Sequence, residues 1–102
     1  MIRHVVLFKL RNGLDESVTA KVFAALKALQ GQIPGITAIS TGKDASPEGL
    51  QWGYSHGFTV DFENATARDA YLPHPAHQAV GAMIVGITEG GVAGITVVDW
   101  EM

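Results

Sequence analysis

With 102 residues, 47% of them hydrophobic and only 17% charged, the chain is long enough to bury a core and apolar enough to gain from a second copy. A net charge of -3, with its Lys and Arg in no run, argues against a nucleic-acid footprint. The absence of cysteine excludes disulfides and thiolate chemistry, and no apolar run approaches the roughly 18–20 residues that span a bilayer. Met1–His4 lead straight into a strand-like segment without signal-peptide organisation. A cytoplasmic domain that engages neither membrane nor nucleic acid is therefore expected.

Ile2–Leu10 reads as the first strand, with His4, Val6, Phe8 and Leu10 on one face and Arg3, Val5, Leu7 and Lys9 on the other. Both faces are apolar enough to need cover. Asn12-Gly13 ends it, and Asp15 is placed to cap a helix. From Glu16 to about Gln32, Val18, Val22, Ala25, Leu26, Leu29 and Ile33 recur at helical spacing, with Phe23 at the edge of the stripe. Pro34-Gly35 closes that helix, and Ile36–Thr41 reads as a second strand. A polar loop, Gly42–Gly53, leads to a third strand, Tyr54–Glu63. Its His56, Phe58, Val60 and Phe62 share one face, while Gly57, Thr59 and Asp61 share the other.

Asn64 is expected to cap a short helix that runs to Tyr71 and stops at Pro73. Pro75 then starts a helix over about Ala76–Ile87, with His77, Val80, Ile84 and Ile87 on its buried stripe. Gly81 and Gly86 each cost that helix roughly 1 kcal/mol relative to alanine, which implies close packing or space left for something. Gly90-Gly91 ends it, and Ala93–Trp100 is the last strand. The order βαββαβ is the ferredoxin-like α+β plan: an antiparallel sheet in one domain, residues 1–102, with its helices on one face. The helix-free face would carry Val5, Leu7, Ile39, Thr59, Val98 and Trp100. That is too apolar to leave in water, so a homodimer joined through this face, closing a barrel-like core, is predicted.

The chemistry-bearing stretch is Tyr71-Leu72-Pro73-His74-Pro75-Ala76-His77. If His4 and His56 face the helices, the second long helix lies over them. A pocket lined by Phe8, Phe23, Leu26, Phe58, Val80 and Ile84 would then have Tyr71, His77, His4 and His56 around its polar end. His77 would serve as general base and Tyr71 as donor to a developing oxyanion, with no cofactor required. The alternative for each residue is structural. His4 and His56 would be hydrogen-bonded strand-end residues, His74 a helix cap, and Phe8, Phe23 and Phe58 plain core. His74-x-x-His77 also has the spacing of a metal-ligand pair, but no carboxylate or cysteine joins it in sequence and Pro75 turns His74 toward capping, so no metal is expected.

Five segments together resemble the stress-responsive A/B barrel (Dabb) family over nearly the whole chain. They are His4-Val5-Val6-Leu7-Phe8, Ile33-Pro34-Gly35-Ile36, Gly53-Tyr54-Ser55-His56, Tyr71-Leu72-Pro73-His74-Pro75-Ala76-His77-Gln78 and Val97-Val98-Asp99-Trp100. The resemblance implies a dimeric α+β barrel. One plant member closes a linear polyketide by cofactor-free aldol chemistry. Its acid–base tyrosine and histidine match Tyr71 and His77, and its further pocket histidines match His4 and His56. Phe23 matches an aromatic of that enzyme's tunnel, while Lys27 or Ala28 stands where a further aromatic is expected. Other members are stress-associated oligomers. Two functions follow: a small-molecule site with lyase- or cyclase-type acid–base chemistry, or a non-enzymatic structural or stress-protective oligomer.

Overall fold

The computed structural model describes all of residues 1–102. Strands β1 (Ile2–Phe8), β2 (Ile36–Lys43), β3 (His56–Phe62) and β4 (Ile95–Glu101) form one antiparallel sheet in the order β2-β3-β1-β4. Helix α1 (Glu16–Lys27) connects β1 to β2. Between β3 and β4 lie the short α2 (Ala65–Tyr71) and the longer α3 (Pro75–Ile87). This is the ferredoxin-like α+β fold. No helix is long and apolar enough to cross a membrane.

The caps form where local chemistry places them. The Asp15 carboxylate accepts from Ser17 N at 2.9 Å and the Asn64 side chain from Ala67 N at 2.9 Å. His74 Nδ1 accepts from Ala76 N at 3.1 Å, with Pro75 in the first turn that follows. The core lies between sheet and helices. Phe8, Val60 and Phe62 from the sheet meet Leu26 from α1, Leu29 just beyond its end, and Val80, Ile84 and Ile87 from α3.

The element ends depart from the sequence reading. β1 stops at Phe8 because Lys9 and Arg11 bond the segment that joins α3 to β4, through Gly94 O, Glu89 N and Ile87 O. α1 tightens into a 3-10 turn over Ala28–Gly31. β2 runs on to Lys43, and β3 begins only at His56, because Tyr54 N closes a turn onto Gln51 O. A second 3-10 turn, Gly91–Gly94, delays β4 to Ile95. Ile39 faces the helices rather than the open side. An irregularity between Ile36 and Ala38 adds one residue to β2 and reverses its parity, so Ile39 pairs with Val60.

Candidate functional site

The corner between α2 and α3 holds the site. Tyr71 ends α2 and is 1% exposed. Its ring meets Phe62 edge-on at 4.9 Å between centroids and His4 at 5.9 Å, and lies 4.1 Å from the ring of His77. Its hydroxyl is buried and makes no hydrogen bond within the chain. Such a group costs about 1–3 kcal/mol unless something pairs with it. Burial pushes the phenol well above its ordinary pKa, so it stays protonated and acts as a donor.

The two histidines beside it have their tautomers set. His77 Nδ1 lies 2.9 Å from Leu72 O. A carbonyl only accepts, so Nδ1 carries the proton and Nε2 of the neutral ring carries the lone pair. The bond arises because Ala76 N is taken by the His74 cap, which leaves the Leu72 carbonyl without its helical donor. Burial holds the His77 pKa below the ordinary histidine value, against the Leu72 hydrogen bond and with help from His4 and His74. The ring is therefore neutral at pH 7 and able to take up a proton.

His4 is arranged in the same way through a carboxylate. Its Nδ1 lies 2.7 Å from Asp99 Oδ1, and the other Asp99 oxygen accepts from Arg68 Nη1 at 2.7 Å. Burial opposes ionisation of Asp99, but the hydrogen bonds and charges of Arg68 and His4 outweigh it and hold the carboxyl below its ordinary pKa. The ionised Asp99 accepts from Nδ1 and so holds that proton and the orientation of the ring.

These histidines line a cavity of about 290 Å³ between α3 and the β1–β4 half of the sheet. Phe58, Ile84, Val85 and Ile95 supply apolar walls, Gly81 lies one turn beyond His77, and no lysine or arginine lines the cavity.

The structure divides the residues expected to share one pocket. His4, His77, Phe58 and Ile84 line this cavity, with Tyr71 packed behind. Phe8, Leu26 and Val80 are close-packed core instead. His56 and Phe23 lie at the other end of the sheet, on a second cavity of about 460 Å³ that also meets Leu14, Glu16, Thr19 and Lys43. The reason is register. β1 and β3 are antiparallel, so residues at the head of each strand sit at opposite ends: His4 pairs with Val60 and His56 with Phe8. Four residues of strand separate the two levels by roughly 13 Å. His56 stacks on Phe8 at 5.7 Å and sets its Nδ1 2.8 Å from Ser55 Oγ, while burial and then Lys43 lower its pKa. His74 is a cap whose Nδ1 is occupied.

Sequence reasoning gave no role to Asp99 or Arg68. The available signal was the acid in Val97-Val98-Asp99-Trp100, which parity puts on the inner face of β4 directly opposite His4.

Residues 2–102 match the model of the stress responsive A/B barrel domain. The chain belongs to the Dabb family. It is 31% identical to the stress-response A/B barrel domain-containing protein HS1 of Arabidopsis thaliana over 83% of this chain and 78% of that one. To the olivetolic acid cyclase of Cannabis sativa it is 28% identical, over 78% and 79% of the two chains. Among solved structures, a dimeric ferredoxin-like protein of unknown function from Jannaschia sp. CCS1 superposes with a TM-score of 0.89 at 32% identity, over 99% of this Dabb chain and 98% of that one.

Proposed function

We propose that this Dabb domain binds a small neutral organic molecule in the His4–His77 cavity and moves a proton on it, as a cofactor-independent cyclase- or isomerase-like catalyst. His77 Nε2 removes a proton from a carbon next to a carbonyl, and the C–H electron pair passes into that carbonyl. Tyr71 donates a hydrogen bond to the oxyanion that forms. Returning the proton to another carbon isomerises the molecule. Attack of the enolate carbon on a second carbonyl of the same molecule closes a ring instead, and the alkoxide so formed takes the proton back from His77.

One observation carries this reading. His77, with its Nδ1 proton committed and its Nε2 bare, and His4, held by Asp99, line an apolar cavity with a buried, unpaired phenol packed behind them. A cyclase among the relatives supports it. The working unit is a homodimer joined through the helix-free sheet face, as the exposed Leu7, Val98 and Trp100 and the dimeric relative suggest.

The test is α-proton exchange of small ketones in D2O, followed by 1H NMR. The wild type should accelerate exchange of at least one ketone, and His77→Ala should lose about 10²–10⁴-fold of that rate. Tyr71→Phe should lose rate while keeping the fold. Variants that change only thermal stability, with a wild type that exchanges nothing, would instead mark the histidines as structural.

A further inference from the structure

Eight of the chain's twelve glycines have a backbone or packing reason to be glycine, six through a positive φ and three, Gly35 among both groups, through a close neighbour. At Gly35 a side-chain Cβ would stand 2.5 Å from Ala67 Cβ, at Gly57 2.8 Å from Leu7 Cδ2, and at Gly94 2.1 Å from Glu89 O. Gly81 has none. It sits inside α3, and a Cβ built on it would meet nothing within 4 Å. Helix propensity favours alanine at such a position. Gly81 nevertheless lines the cavity, in the row His77, Gly81, Val85 that α3 presents at four-residue spacing.

We infer that Gly81 is a specificity-determining residue, which keeps the cavity deep beside His77 so that it admits a neutral ring or branched carbon group next to the reacting carbonyl. This deepens the reading under Proposed function and rests on it. The ligand class follows from the walls. No cation lines the cavity, and Arg68 is engaged by Asp69 and Asp99, so a carboxylate or phosphate has no partner there. Apolar surface dominates, and the bare Nε2 of His77 offers an acceptor. A monocyclic aromatic ketone fits this chemistry.

Gly86 supplies the internal control. It lies in the same helix, a Cβ there also meets nothing within 4 Å, and it is exposed and off the cavity. Gly81→Ala and Gly86→Ala remove the same helix penalty, and each should raise Tm by about 4–8 °C. Their effects on ligand binding should diverge. In 15N-HSQC titrations with acetophenone, the wild type and Gly86→Ala should bind with equal Kd and shift resonances around residues 77–85. Gly81→Ala should weaken Kd at least about 5-fold, and Gly81→Leu should abolish binding.

If Gly81→Ala and Gly81→Leu bind as the wild type does while His77→Gln loses proton exchange, the Gly81 inference is overturned and the catalytic reading survives. If the Gly81 variants lose acetophenone but His77→Gln changes neither binding nor exchange, the cavity role stands and the catalytic reading fails. A wild type that binds no acetophenone, or binds it away from α3, overturns the Gly81 inference, and one that also exchanges no ketone overturns the catalytic reading with it.

Discussion

Asp99 commits one carboxylate oxygen to His4 and the other to Arg68, so the pair of bonds fixes both the ring and its proton. Asparagine at this position cannot satisfy both neighbours. If its oxygen faces His4, its NH2 opposes the Arg68 guanidinium; if it turns, its NH2 faces His4 Nδ1 and drives that proton to Nε2. Asp99→Asn should therefore convert His4 to the Nε2–H tautomer and lower stability by about 1–3 kcal/mol. Long-range 1H–15N spectra read the tautomer directly, and an unchanged Nδ1–H His4 would disprove the argument. His77 gives the second test at this scale. Its folded pKa is depressed by burial, so the unfolded chain takes up the proton first. Its share of stability is full above the unfolded value near 6.5 and is lost as pH falls from there through the folded pKa. Urea midpoints should thus fall more between pH 7 and pH 5 for the wild type than for His77→Asn; parallel curves would rule this out. Asp61 and Asp99 work in a lower window. Their depressed pKa values give stability that is present above about 3.9 and lost as pH falls through their folded values.

The elements hold the site by short, local devices. Gly35 turns the chain into β2 at φ +90, and its carbonyl accepts from Glu63 N at 3.0 Å while its bare Cα lies against Ala67 of α2. Gly35→Ala adds a left-handed strain and a collision with that helix. It should cost about 1–3 kcal/mol, seen as a Tm lower by several degrees, and an unchanged Tm would show the corner to be pliable. Local devices of this kind are also what a single sequence displays best. Asp15, Asn64, His74 and Pro75 were legible because a cap is decided within a few residues. Face parity was legible for β1 and β3 for the same reason. The level of a residue along the sheet was not, because register depends on pairing between distant segments. Two histidines that share a face therefore looked like neighbours, although antiparallel pairing separates them. The irregularity in β2 that turns Ile39 inward leaves no such trace, and neither does the left-handed Trp52, at φ 53, in the loop that delays β3. The link from Arg68 on α2 to Asp99 on β4 is a tertiary contact and was equally invisible.

At the scale of the whole molecule, β1 joins the two halves of the proposal. Its inward side carries His4, and its outward side carries Val5 and Leu7 on a face where Leu7, Val98 and Trp100 remain 40%, 52% and 48% exposed. Arg3 forms a bidentate pair with Asp61 on that same face, at 2.8 and 2.9 Å, which neutralises a charge at an otherwise apolar surface. Gly42 and Gly57 pair directly across β2 and β3 and leave a groove of about 300 Å³ there. Two copies joined by a two-fold axis would each offer this patch to the other, so one substitution is felt twice. Val98→Asp places a carboxylate on the patch from both sides, and it should shift sedimentation mass from two chains to one at micromolar concentration. The wild type should also show a Tm that rises with protein concentration, because association stabilises only the folded chain. If the wild type itself sediments as one chain, the paired-sheet arrangement is wrong. Because β1 carries both surfaces, freeing its outer side should also loosen His4. The monomeric variant should then catalyse proton exchange more slowly than the dimer even at temperatures where it is fully folded.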